Sequence, residues 1–269
     1  MGARYWVAAL LIVVGIGCNQ AVPDQLTSPA AAIPAGAAAA FTLPPPAALD
    51  LRARRMIWST TYIAYLAINS TDSEAVPLID KFGRELGPRL PHADWCHAAM
   101  EGTVSIRQSD GSFRTFNFED QNPSILTDCS DVFPHVAAQV LAGTNRARFA
   151  ATPPDAPFGL GAASLRLVPW RSVAVDSAAF ALQTVLFIPS LRGTQFTLPD
   201  GRPMLHDGYV MAVDRGGAIH GMHIDFFKGP SRDDVSPPGL DSSEDHLIPA
   251  VVVSDDAIIG QLRQLHQRQ

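Results

Sequence analysis

The stretch from Asp207 to Asp225 constrains the fold of this chain most strongly, because it places a glycine-rich loop between two runs that are typical of β-strands. Residues 209–213 and 223–227 are rich in β-branched and aromatic side chains. The loop between them contains Gly216, Gly217 and Gly221. Glycines permit positive φ angles and close approach of another segment, so the loop can return two strand ends to one region.

Side chains alternate along a strand, and this alternation sets the surroundings of Asp225. One face of the second run carries His223, Asp225 and Phe227, and the opposite face carries Ile224 and Phe226. We therefore expect Asp225 to share its face with a histidine and an aromatic ring.

The run Asp214-Arg-Gly-Gly-Ala-Ile-His-Gly-Met-His-Ile-Asp225 resembles the signature of the three-aspartate domain, which the membrane-bound lytic murein transglycosylase A family and its relatives share. That signature reads Asp-x-Gly-Gly-Ala-Ile-x-Gly-x-x-x-Asp. Residues 171–176 and 187–193 extend the resemblance, and Trp58-Ser-Thr-Thr-Tyr62 is similar to the opening strand of the family. The resemblance implies a double-psi β-barrel. Residues 70–160 do not align with the inserted substrate-binding domain of that family.

The resemblance also implies the chemistry, in which a lytic transglycosylase cleaves a glycan strand without water. The 6-hydroxyl of N-acetylmuramic acid attacks its own anomeric carbon and leaves a 1,6-anhydro end, so one carboxyl can act twice. We assign Asp225 as general acid and base, with Asp214 raising its pKa, orienting it or stabilising positive charge on the sugar. Raising an aspartate pKa from about 3.9 to about 6 costs roughly 3 kcal/mol, which burial and a neighbouring carboxylate have to supply.

Five further residues are predicted to shape the site or bind the glycan. They are His206, Asp207, Gly216, Gly217 and His223. An aspartate at a strand end is more commonly a turn or cap residue, and this alternative stays open for each of the three aspartates.

Three other functions are compatible with parts of the same stretch. A metal site could draw on the three aspartates and on His206, His220 and His223, but their spacing matches no strong ligand motif. Phosphate binding lacks the glycine patterns of nucleotide loops. The main alternative is a non-enzymatic module that binds the cell wall. No cofactor is expected.

Bulk composition excludes some partners. At 269 residues and 47% apolar content, the chain can form one large or two small domains. A net charge of −6 with only two lysines argues against nucleic acid as a partner. We expect a monomer whose partner is the glycan strand of peptidoglycan.

The N-terminal region has the composition of an export signal followed by a linker. Residues 1–18 have a positive start and an apolar run that is too short to span a bilayer permanently. They end in small residues before Cys18, which resembles a lipoprotein signal and predicts lipidation, with membrane contact only through that anchor. Residues 19–50 are rich in Ala and Pro and predict an extended tether. We therefore expect an exported, periplasmic protein anchored to the outer membrane.

The other two cysteines predict a disulfide between Cys96 and Cys129, because export places them in an oxidising compartment. Two buried free thiols are the alternative, and a Cys/His zinc site lacks the usual paired spacing. The disulfide would close an insertion of about residues 91–150. Within it we predict a helix over 132–141 that stops at Gly143.

The rest of the sequence predicts a mainly β domain over residues 51–253, with residues 254–269 forming a C-terminal helix or tail. Many short strands separated by Gly and Pro favour a small closed barrel. Ser254 is the predicted cap of the final helix, whose apolar face is Ile258, Ile259, Leu262 and Leu265. The predicted strands of the second half are 163–168, 172–175, 184–188, 195–198, 208–213, 222–227 and 248–253.

Overall fold

The computed structural model describes residues 36, 38–47, 53–108, 111–216, 219–233, 240 and 242–268. The predicted signal segment, Cys18 and Gly217 lie outside the described residues. The strands are β1 Arg54–Ala67, β2 Val76–Ile79, β3 Glu85–Leu90, β4 Thr103–Arg107, β5 Phe113–Gln121, β6 Ala147–Ala151, β7 Ser172–Val175, β8 Val185–Phe187, β9 Gln195–Thr197, β10 Pro203–Leu205, β11 Tyr209–Asp214, β12 His223–Ser231 and β13 Ile248–Val252. The helices are α1 His92–Glu101, α2 Ala138–Thr144 and α3 Asp256–His266. The protein is mainly β, as predicted.

Six strands close into a ring in the order β12-β7-β11-β8-β13-β1, with β1 returning to β12. The pairs β1/β12 and β7/β11 are parallel, and the other neighbours in the ring are antiparallel. Alternating side chains on these strands fill one apolar core, which includes Val173, Leu186, Val210, Ile224 and Phe226. The predicted closed barrel is therefore present, and Ile224 and Phe226 lie on the face of β12 that the sequence assigned to them.

A second core lies beside the ring, where β1 continues into a sheet with β4, β5 and β6. The helix α1 and the hairpin β2–β3 cover this sheet, and the buried side chains include Leu78, Trp95 and Phe116. The predicted disulfide is confirmed: Cys96 on α1 is bonded to Cys129, and both are fully buried. The second core extends beyond the predicted insertion of about residues 91–150, because β2 and β3, which precede residue 91, contribute side chains to it.

Residues 38–47, which we call the strap, pack against the barrel although the sequence predicted an extended tether there. Phe41 and Leu43 interrupt the Ala/Pro composition. Phe41 is buried in the barrel core, and Leu43 is buried in a separate apolar cluster that includes Tyr209. The backbone N–H of Leu43 donates to Asp207, and the hydroxyl of Tyr209 donates to the carbonyl of Pro44. The two apolar side chains and these hydrogen bonds explain why this part of the linker is docked.

Two secondary-structure predictions in the middle of the chain are wrong. Residues 132–137 form turns around Pro134, and the helix α2 begins only at Ala138 and continues through Gly143 to Thr144. The predicted strand over 163–168 is instead a short 3-10 turn at 162–164 followed by a single bridge. Proline lacks a backbone donor and restricts the residue before it, which explains the late start of α2.

The C-terminal helix α3 packs its predicted apolar face on the barrel, with Ile258 and Leu262 buried. Its cap is Asp255 and not Ser254, because the Asp255 carboxylate accepts from the backbone N–H groups of Ala257 and Ile258. A carboxylate also interacts favourably with the positive end of the helix dipole. None of the helices in the described part of the chain is long and apolar enough to span a membrane.

Candidate active site

The parallel pair β1/β12 aligns two rows of side chains on one face. Residue 58 lies opposite residue 223, residue 60 opposite 225 and residue 62 opposite 227. The side chains in these two rows are Trp58, Thr60 and Tyr62 on β1, and His223, Asp225 and Phe227 on β12. Asp225 therefore shares its face with a histidine and an aromatic ring, as its position in the strand predicted.

Asp225 is partly buried, and its carboxyl is held by a hydroxyl. The Oγ1 of Thr60 donates to Oδ1 of Asp225 at 2.8 Å. This threonine Oγ1 also lies 2.8 Å from Nε2 of His223. Trp58 stacks on the imidazole with the ring centroids 3.5 Å apart and the planes 7° from parallel. Burial, and secondarily His220, lower the pKa of His223 to about 4, so the ring is neutral near pH 7.

Asp214 lies at the end of β11 and is held by three donors. The hydroxyl of Tyr62 donates to Oδ2 at 3.1 Å, and the backbone N–H groups of Ala162 and Arg215 donate to Oδ1 at 3.1 and 2.8 Å. Burial raises the pKa of Asp214, while these three hydrogen bonds oppose the shift. Gly161 allows the close approach, because a Cβ there would lie 2.5 Å from the carbonyl oxygen of Val213.

Tyr62 connects the two carboxyl groups electrostatically. Burial raises its pKa well above the ordinary value, and the charges of Asp214 and Asp225 raise it further. The hydroxyl therefore stays protonated and remains a hydrogen-bond donor at neutral pH. A single phenol thus lies within the electrostatic reach of both aspartates.

The loop before β12 is fixed by Asp176, which follows β7. Oδ2 of Asp176 accepts from the backbone N–H of Gly221 at 2.8 Å, and Gly221 has the positive φ of +63° that the sequence predicted for this loop. Gly216 has no positive φ, and its role is spatial: a Cβ would lie 2.6 Å from Cγ1 of Ile219. The geometry of this loop therefore helps to determine where β12 begins and where Asp225 lies.

Asp207 and His206 lie inside the protein, with 4% and 2% of their surfaces exposed. The two carboxyl oxygens of Asp207 each accept from Arg171 at 2.6 Å. Nε2 of His206 is 2.7 Å from the carbonyl oxygen of Trp170, and Nδ1 accepts from the backbone N–H of Gly208. Burial, then Arg171, lower the pKa of His206 to about 3. Both side chains have partners within the protein, and neither lies beside Asp225 on the β1/β12 face.

A comparison with protein families identifies a domain within the second half of the chain. The profile described as the 3D domain matches residues 171–240. This chain carries a 3D domain. The match confirms the predicted 3D domain, and the matched range includes Asp207, Asp214 and Asp225.

Several solved structures are similar to this 3D-domain protein. Escherichia coli MltA with bound chitohexaose has 16% sequence identity and a TM-score of 0.48, over 73% of this chain and 71% of that chain. A membrane-bound lytic murein transglycosylase from Agrobacterium tumefaciens has 14% identity and a TM-score of 0.49, over 76% of each chain. The lytic transglycosylase LtgG of Burkholderia pseudomallei has 20% identity and a TM-score of 0.39, over 74% and 71%. No curated protein matches the chain.

Half of the site lies outside the 3D domain. Trp58, Thr60 and Tyr62 belong to β1, more than one hundred residues before the domain begins. The sequence of this segment resembles the opening strand of the family, but that resemblance predicts no role for its side chains. The alternation of Trp, Thr and Tyr was the available signal, because it places three polar or aromatic groups on one face of a strand. Their partners on β12 could not be identified without the pairing.

No group of three or more His, Cys, Asp or Glu side chains converges as a metal site within the described ranges. Asp207 is engaged by Arg171, and the carboxyl of Asp214 faces three hydrogen-bond donors. The residues suggested as metal ligands are therefore distributed over separate surroundings.

Proposed function

We propose that this protein is a lytic transglycosylase that cleaves the glycan strands of peptidoglycan between N-acetylmuramic acid and N-acetylglucosamine. The observation that carries the proposal is the position of Asp225. It lies in a 3D domain on the β1/β12 face, partly buried, with a hydroxyl donor on one carboxyl oxygen. Partial burial leaves a route for a ligand and also shelters the carboxyl from water, as a general acid requires.

In the proposed reaction Asp225 first acts as an acid. Its proton moves to the departing glycosidic oxygen while the bond from that oxygen to the anomeric carbon breaks. The 6-hydroxyl oxygen of the same sugar then forms a bond to the anomeric carbon, and its proton returns to the Asp225 carboxylate. A 1,6-anhydro end forms, no water is consumed, and the enzyme regains its starting protonation.

Asp214 supports this chemistry in the proposal through its charge. A carboxylate near the reacting sugar stabilises the positive charge that develops at the anomeric carbon. Burial raises the pKa of Asp214, but the hydrogen bonds from Tyr62 and from the backbone of Ala162 and Arg215 oppose this shift and favour the ionised form. In this proposal Asp225 transfers the proton, and Asp214 stabilises the positive charge on the sugar.

The remaining predicted residues take structural roles in this proposal. Asp207 and His206 stabilise the barrel through Arg171 and Trp170. Gly216 shapes the loop before β12, and Gly217 is assigned to the same loop from its sequence position. The two parallel pairs within a ring of six strands support a double-psi type of barrel.

The cellular location remains a proposal that rests on residues 1–50. Cleavage before Cys18 and lipidation of that cysteine would anchor the protein to the outer membrane from the periplasm, with residues 19–37 as the tether. Intact-mass measurement of the mature protein tests this, because an acylated N-terminal cysteine adds a defined mass. A mature chain that begins elsewhere, or with an unmodified cysteine, would contradict it.

The enzymatic proposal is tested by incubating the purified protein with murein sacculi and analysing the soluble products by mass spectrometry. We expect products with anhydro ends from the wild type and none above background from Asp225→Asn. Asp245→Asn is the matched control, because Asp245 is an exposed aspartate in the turn before β13. Reducing ends would indicate a hydrolase. Binding to sacculi without products would indicate the non-enzymatic wall-binding module.

A further inference from the structure

We infer that Thr60 and His223 are positioning residues that hold the Asp225 carboxyl in one orientation through both halves of the reaction. The inference rests on the proposed function of Asp225. It is carried by a chain of three groups, in which the imidazole of His223 contacts the hydroxyl of Thr60 and that hydroxyl contacts the carboxyl.

The direction of the hydrogen bonds in this chain follows from the number of protons available. A threonine hydroxyl has one proton, and Thr60 donates it to Oδ1 of Asp225. Nε2 of His223 lies 2.8 Å from the hydroxyl oxygen of Thr60. Because the hydroxyl proton is already used, Nε2 must be the donor of this second hydrogen bond. A neutral imidazole that donates from Nε2 has no proton on Nδ1.

The surroundings of Nδ1 agree with this direction. Nδ1 of His223 is buried and has no hydrogen-bond partner among the described residues. An unpaired buried N–H is rarer in proteins than an unpaired acceptor, so the tautomer with the proton on Nε2 is favoured. Trp58 covers the ring face at 3.5 Å between centroids, which restricts rotation of the imidazole.

The backbone also fixes this chain of groups. Residues 58 and 60 lie on β1, directly opposite 223 and 225 on β12 in a parallel ladder. All four side chains therefore project from two strands that are paired by backbone hydrogen bonds. Positions on strands are held more rigidly than positions on loops, which suits a group that must stay aligned with its substrate.

The consequence for Asp225 concerns which of its oxygens carries the proton. A donor directed at Oδ1 opposes a proton on that atom, so the transferable proton resides on Oδ2. Oδ1 accepts from Thr60 whether the group is a carboxylic acid or a carboxylate, because both forms have an acceptor there. The orientation therefore need not change between proton donation and proton return, and the same oxygen faces the sugar in both steps.

The kinetic test compares two substitutions at position 60. Thr60→Val keeps the β-branched shape and removes the hydroxyl, so we expect kcat to fall about 10- to 100-fold with KM within about twofold. Thr60→Ser keeps the hydroxyl, and we expect kcat within about threefold of the wild type. His223→Phe keeps a stacked ring without a donor, whereas His223→Gln offers an amide N–H in place of Nε2. We expect His223→Phe to lower kcat more than His223→Gln.

Thermal unfolding of each variant separates positioning from misfolding, since the expected kcat losses have to appear in proteins that remain folded at the assay temperature. A wild-type kcat in Thr60→Val, or equal impairment in Thr60→Val and Thr60→Ser, would overturn the inference. A rise in KM at unchanged kcat would assign Thr60 to substrate binding instead.

A second measurement does not depend on turnover. Long-range ¹H–¹⁵N spectra of the folded wild type report the tautomer of each histidine, and comparison with His223→Gln assigns the signal of His223. We expect the form with the proton on Nε2, and a shift of that signal in Thr60→Val. A proton on Nδ1 would overturn the inference even if the enzyme is active. A wild type that releases no glycan products would instead refute the proposed function, while the spectra still decide the direction of the hydrogen bonds.

Discussion

Replacement of Asp207 by Asn tests whether the first of the three aspartates stabilises the fold. Its carboxylate accepts two hydrogen bonds from Arg171, one from the backbone N–H of Tyr209 and one from that of Leu43. The side chains of Arg171 and Asp207 are 0% and 2% exposed. Arg171 also donates to the carbonyl of Ala38 and lies 3.9 Å from the ring centroid of Phe41. The pair therefore joins the strap to the barrel.

The magnitude follows from the asymmetry of the substitution. Asn keeps the size of the side chain but removes the negative charge, and its NH₂ group faces donors where an acceptor is needed. The guanidinium of Arg171 is left buried without a counter-ion, which costs about 3–5 kcal/mol in comparable pairs. For a domain of this size that loss corresponds to a decrease in Tm of about 6–20 °C.

Urea or thermal denaturation of Asp207→Asn and of the control Asp200→Asn measures the difference. Asp200 pairs with Arg202 at 2.6 Å, but these side chains are 52% and 69% exposed, so loss of this pair should change the stability much less than loss of the Asp207 pair. Similar small losses in both variants would refute the reasoning. If Asp207→Asn also raised KM, the substrate-binding role that the sequence predicted for Asp207 would be correct.

Three further predictions concern the second core, the C-terminal helix and the site. Cys96→Ser combined with Cys129→Ser opens a loop with a separation of 33 residues, so we expect a loss of about 3–4 kcal/mol; wild-type protein that melts at the same temperature with and without reductant would contradict this. Burial lowers the pKa of His266 to about 4, so the unfolded chain binds the extra proton between pH 6.5 and 4 and stability falls as pH decreases through that window. Between pH 6.5 and 5 this amounts to about 1–2 kcal/mol, and denaturation of His266→Phe at both values should show a smaller decrease than the wild type. Tyr62→Phe removes the donor to Oδ2 of Asp214 and should lower kcat about 5- to 10-fold without loss of folding; an unchanged kcat would remove Tyr62 from the site.

Local patterns predicted the parts of the fold that depend on neighbouring residues. β7 has the predicted bounds, Ser172–Val175, because a serine followed by three apolar residues between turn signals leaves little choice of secondary structure. The two faces of β12 follow from alternation alone. The disulfide between Cys96 and Cys129 followed from counting cysteines in an exported chain. Each of these inferences depends on residues that are close in sequence, or on a small number of cysteines that leaves few possible pairs.

Contacts between distant segments could not be predicted in the same way. The strap has the composition of a linker, and its docking shows only in contacts with distant residues, such as the hydrogen bond from Leu43 to Asp207, 164 residues away. For the same reason the sequence could not show that Asp207 and Asp225 lie in different surroundings. Both are aspartates at or near strand-like runs. Asp207 contacts the buried Arg171, whereas Asp225 contacts the hydroxyl of Thr60 on a partly buried face.

The arrangement of β1 against β12 explains why the 3D domain alone does not complete the candidate site. β12 contributes Asp225 and His223, but the hydroxyl that holds the carboxyl comes from Thr60 and the ring that covers the imidazole comes from Trp58. Beyond Tyr62, the same β1 continues into the sheet of the second core. One continuous strand, β1, therefore links the second core to the residues around Asp225, so changes in the packing of that core can displace Thr60 relative to Asp225. This connection gives the disulfide-closed region a physical route to affect catalysis without contributing a reacting group.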